Sequence, residues 1–123
     1  MKIPKKLKIG AHTFTVELTN KKYMGGPTPS EMERGIAIGK HWTYFGDMHP
    51  GDLKIRINKN VKPSMVQETL MHEVMHAVVE LTGVRNDFKL GREEHIVQAV
   101  GHLLTEVFLE NPQFAKVFMN KNK

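Results

Sequence analysis

His72, Glu73 and His76 make the pattern H-E-x-x-H within the run His72-Glu73-Val74-Met75-His76. Residues four apart on a helix stand one above the other, so both imidazoles can reach a single metal ion. Glu73 lies about 100° around the axis from His72, too far round to share the same coordination direction. It can instead touch water on the metal and take its proton as that water attacks a carbonyl. The chemistry implied is peptide-bond hydrolysis at a mononuclear site of one Zn2+ per chain, with His72 and His76 as ligands and Glu73 as general base. The plainer reading is a pair of core histidines satisfied by hydrogen bonds. Shuffling this composition would give the pattern in about 3% of sequences, so its surroundings have to decide.

A catalytic zinc takes three protein ligands and keeps one position open. The chain has no cysteine, so the third ligand must be His, Asp or Glu. Glu80, Glu93, Glu94 and His95 are the nearby candidates. In a helix over roughly 92–110, Ile96, Val97, Val100, Leu103, Leu104 and Val107 mark an apolar face. Measured from Val100, Glu93 falls about 20° off, Glu94 about 120° and His95 about 140°. Glu93 alone points with that face, and a carboxylate aimed into an apolar face needs a cation. Glu93 is therefore the expected third ligand; otherwise it is a first-turn glutamate favoured by the helix dipole. A lead into Ile96 that is not helical would give the place to Glu94 or His95. His102 falls opposite the core face and reads as surface. His12, His41 and His49 have no partner visible in the sequence. Tyr23 and Tyr44 could donate to an oxyanion, with ordinary packing as the alternative.

The elements that must position these residues read as strands first and helices second, an α+β arrangement. Lys8 to Leu18 alternates, with Ile9, Phe14, Val16 and Leu18 as its apolar set. Residues 21–34 are rich in Gly and Pro and read as a loop. A strand is expected around Ile36-Ala37-Ile38 or from Trp42 to Phe45, then a turn from Gly46 to Gly51. Leu53-Lys54-Ile55-Arg56-Ile57 alternates strictly and is the clearest strand. If it forms the sheet edge, its backbone could pair with an extended peptide.

Ser64 and Gln67 match a capping box. They would start a helix that runs to about Thr82, with Gly83 as its left-handed cap. Leu70, Val74, Ala77, Val78 and Leu81 form one apolar face, and Met65, Met75 and Val79 lie near the histidines on the other. A helix apolar on both sides is buried between two layers. The second helix ends at Asn111-Pro112, which opens a short third one with Asn111 as N-cap and Pro112 at N1.

The run Glu68-Thr69-Leu70-Met71-His72-Glu73-Val74-Met75-His76-Ala77-Val78, preceded by the Leu53 to Ile57 strand, resembles small HEXXH proteins encoded by bacteriophages and prophages. Glu93-Glu94-His95-Ile96-Val97, Leu103-Leu104 and Asn111-Pro112 continue the likeness, which covers roughly residues 46 to 115. The arrangement is also similar to the ImmA/IrrE-type metallopeptidases, where a Glu opens the second helix. The resemblance implies a minimal gluzincin hydrolase: His72, His76 and Glu93 on zinc, with Glu73 as base.

Length and composition bound the rest. The 123 residues, 40% hydrophobic and 25% charged, suit a single domain over 1–123 with one modest core. The basic start has no apolar run behind it, and no stretch approaches a membrane span. A cytoplasmic location is expected, the host cytoplasm if the chain is phage-encoded. The net charge of +5 comes mostly from lysines near the ends and does not by itself mark a nucleic-acid footprint. The expected partner is a peptide or protein substrate, with no membrane and no nucleic acid. The alternative function is a zinc-containing binding or regulatory module without peptidase activity, with nucleic-acid binding as one form of it.

Overall fold

A computed structural model describes residues 2–19, 45–59, 62–89 and 91–119. It has four strands followed by three helices, an α+β fold. Strands β1 (Lys6–Ile9) and β2 (His12–Thr19) form a hairpin, with Ile9 paired to His12. The loop between them is Gly10-Ala11, with Gly10 at φ 61°. Glycine in that conformation at the first position of a two-residue loop is the pattern of a type II′ turn. The sequence reading ran through this turn as a single strand; the alternation on either side of it hid the break.

Strand β3 (Gly46–His49) stands where a turn was expected. Pairing with β4 (Lys54–Asn58) holds it there, and Asp47 sits opposite Arg56. The turn itself is the tight 3-10 stretch Pro50–Asp52, closed by Leu53 at φ 50°. The sheet is mixed, in the order β1-β2-β4-β3, with β2 and β4 parallel. So the alternating β4 strand is central, with both sides paired, and β1 and β3 are the edges among the described residues. The strand expected at 36–38 or 42–45, the loop at 21–34, and Tyr23, His41 and Tyr44 lie outside the described residues, apart from Phe45.

One face of the sheet carries Phe14, Val16, Ile55 and Ile57, all buried. Burying side chains of this size contributes roughly 1.5–3 kcal/mol each. Helix α1 (Pro63–Thr82) covers them with Val66, Leu70, Val74 and Ala77. Helix α2 (Glu93–Glu110) packs on its other side, so α1 lies between two layers as its doubly apolar surface requires. Helix α3 (Pro112–Met119) folds back on α2 through Phe108, Phe114 and Phe118, whose rings lie 5.1 to 6.0 Å apart.

The helix ends follow local chemistry. Gly83 caps α1 at φ 75°. The capping box is not made: α1 starts two residues earlier, with Pro63 at N1 and Lys62 as N-cap without a side-chain bond. The fixed φ of proline is already that of a helix, which places Ser64 inside the first turn. Asn111 donates from Nδ2 to the Val107 carbonyl at 2.9 Å, and its own carbonyl accepts from Ala115 at 3.1 Å.

Candidate metal centre

His72 and His76 project from the middle of α1 toward the start of α2, their rings edge to face with centroids 4.8 Å apart. Both carboxylate oxygens of Glu94 meet them: Oε1 lies 2.8 Å from Nε2 of His72, and Oε2 lies 2.8 Å from Nε2 of His76. His72, His76 and Glu94 each bring one ligand atom to within 4.8 Å of the others, a group that could hold a metal ion. The histidines are largely buried, while the Glu94 side chain is 63% exposed, so the group opens to solvent on one side.

Glu93, the third ligand expected from the sequence, lines the same cleft but meets His76 on its other ring nitrogen. Its Oε2 accepts from Nδ1 of His76 at 2.7 Å, and its Oε1 accepts from Nε of Arg85 at 2.9 Å. The difference follows from the packing of α2. Val97, Gly101 and Thr105 are buried, whereas Val100 is 45% and Leu103 61% exposed. The inward face is thus turned about 100° from Val100, which brings Glu94 within about 20° of its centre. Gly101 lies at the centre of that face. A Cβ there would lie 3.6 Å from Met75 Sδ and 3.7 Å from His72 Cα, so α2 rests on α1 beside His72.

Glu73 is 6% exposed and faces the edge strand β3. Gly46 allows that approach: a Cβ on it would come within 2.8 Å of Thr69 Cγ2 and 3.4 Å of Glu73 Cγ. Burial, reinforced by the charges of Glu94 and Asp47, raises the Glu73 carboxyl from 4.5 to about 8. Burial also lowers the His72 imidazole, against the pull of Glu94. For Glu93 burial acts upward, but the bonds from His76 and Arg85 outweigh it and keep the carboxyl below its ordinary value. The cleft between β3 and the two helices is walled by Gly46, Asp47, Met48, Pro50 and Arg85 beside the His and Glu groups.

Other candidates sit outside this cleft. His102 donates to Glu68 at 2.6 Å across the α1–α2 surface. His49 lies 3.1 Å from Asp47, which Arg56 also holds. His95 is exposed. Sequence reasoning missed Arg85 and Asp47 and kept Glu94 only as a fallback. Gly101 was the available signal, since a glycine inside a helix marks a close approach. Among the described residues no helix is long and apolar enough to cross a membrane. No protein-family model, curated protein or solved structure matches the chain.

Proposed function

We propose that the protein is a zinc-dependent peptidase of minimal gluzincin type, with His72, His76 and Glu94 holding one Zn2+ and Glu73 as general base. The observation that carries the reading is the convergence of both Nε2 atoms on one carboxylate, with a buried second carboxylate beside them. The donor set suits zinc: two imidazoles and a carboxylate, with no thiolate. The charge balance fits as well. Glu73 is buried near two other carboxylates, and each influence on it acts against its ionised form. A divalent cation at the His and Glu group would reverse that balance.

When bound, zinc would supply a Lewis acid that polarises a carbonyl and acidifies water. The residues of the chain supply the rest. Glu73, ionised beside the cation, accepts a proton from the attacking water and passes it to the leaving amine. Strand β3 borders the cleft as an edge strand among the described residues, so its backbone can pair with an extended peptide and lay it along the site. The resemblance of the α1 run to phage-encoded HEXXH proteins supports the same reading.

The test is metal content and peptide cleavage on wild type, Glu94→Ala and Glu73→Gln. The expected result is one zinc per wild-type chain, loss of zinc in Glu94→Ala, and zinc without cleavage in Glu73→Gln. A wild type that takes up no zinc after reconstitution would overturn the metal reading. Zinc uptake with no cleavage of any peptide pool would favour a binding module.

A further inference from the structure

Arg85 lies in the 3-10 turn Val84–Asp87 between α1 and α2. Its guanidinium spans two helices. One nitrogen pairs with Glu80, one turn beyond His76 on α1, while Nε donates to Glu93 Oε1 at 2.9 Å. The other oxygen of Glu93 accepts from Nδ1 of His76 at 2.7 Å. The contacts run from Arg85 through Glu93 to the imidazole whose Nε2 faces Glu94.

An imidazole has two nitrogens, and the hydrogen bond made by one decides which atom the other offers. An ionised carboxylate can only accept, so Glu93 keeps the hydrogen of His76 on Nδ1 and leaves the Nε2 lone pair for a ligand. Glu93 also adjoins Glu94 in the first turn of α2, so two carboxylates stand within reach of one imidazole. The contacts of Arg85 separate their roles. It binds Glu93 and Glu80 and, among the described residues, makes no ion pair with Glu94. A guanidinium suits the task, being planar, permanently charged and able to engage two acceptors at once.

We infer that Arg85 and Glu93 are positioning residues for the metal centre: Arg85 locks Glu93 onto Nδ1 of His76, which aims Nε2 at the ion and keeps Glu93 out of the ligand set. This rests on the proposed zinc site and adds a division of labour between two adjacent glutamates.

The test is zinc affinity by chelator competition, with the visible absorption of cobalt-substituted protein as a second readout. Arg85→Gln and Glu93→Gln are each expected to weaken zinc by roughly tenfold to a hundredfold and to shift the cobalt bands. The double variant should be no weaker than Glu93→Gln alone, because both changes break one chain of contacts. Arg85→Lys should restore only part of the loss. Glu80→Gln removes only the tie to α1 and should leave affinity and bands at wild-type values. If Arg85→Gln does not fold, Glu93→Gln alone decides: retained but weakened zinc supports the inference, and complete loss makes Glu93 a ligand and overturns it. Wild-type affinity and unchanged bands in Arg85→Gln would also overturn it, as would multiplying losses in the double variant or a matching loss in Glu80→Gln. A wild type that binds neither zinc nor cobalt would remove the underlying site as well, and is distinguished by that result.

Discussion

At the scale of single residues, Glu73 carries the largest electrostatic cost in the cleft. Its folded carboxyl titrates at about 8, against an ordinary 4.5. Between those values the metal-free folded protein keeps a proton that the unfolded chain gives up. Stability contributed by this group is therefore present below about pH 4.5 and lost as pH rises through 8. The loss amounts to at most a few kcal/mol. Glu73→Gln replaces the group with a neutral amide of the same shape and removes the dependence. In chelator, wild type and Glu73→Gln should unfold at similar urea concentrations at pH 5, with the variant clearly more stable at pH 9. Parallel curves across that range would show that Glu73 is not held protonated by its surroundings. This residue, with His72 and His76, was legible from spacing alone, because H-E-x-x-H depends only on local helix geometry. Glu93 and Glu94 were not separable that way. Which of them meets both histidines depends on how α2 rolls against α1, a tertiary fact.

At the scale of elements, two glycines lie where the layers meet, and they predict substitutions of opposite sign. A Cβ on Gly46 would lie 2.8 Å from the Arg56 carbonyl oxygen and 2.8 Å from Thr69 Cγ2. The carbonyl belongs to the paired β4 backbone and cannot easily yield. Gly46→Ala is therefore expected to destabilise by about 1–3 kcal/mol and to weaken metal binding by moving β3 away from Glu73. At Gly101 the nearest atoms are 3.6 Å or more away, which is ordinary contact. Gly101→Ala should stabilise by roughly 0.5–1 kcal/mol, through the better helix preference of alanine. Urea unfolding of the two variants checks both signs, and a stable Gly46→Ala would contradict the close packing of β3 on α1. Sequence periodicity found β4, α1 and α2 because each repeats over several residues. It missed β3, where only four residues pair, and it missed the Gly10-Ala11 turn inside an alternating run. It also centred α2 on Val100 and Leu103, which are apolar but exposed.

At the scale of the whole molecule, the core and the proposed metal centre would stabilise different parts. Phe14, Val16, Ile55, Ile57 and Ala77 join the sheet to α1 without help from the site. The first turn of α2 has no side-chain cap, and it meets α1 through Glu93 and Glu94 on the two histidines. An ion shared by α1 and α2 would therefore tighten their junction more than the sheet. Zinc at a thousandfold excess over its Kd should stabilise the protein by about 4 kcal/mol. The gain should fade in acid, because metal binding competes with protons for its ligands. Hydrogen exchange locates the effect. Chelation should speed exchange of the α2 amides from Ile96 to Val100 while leaving β2 and β4 protected. Uniform acceleration throughout the chain would mean that the ion supports the entire fold. No change at α2 would mean that the helices are joined by side-chain packing alone, with the metal, if bound, contributing nothing to their junction.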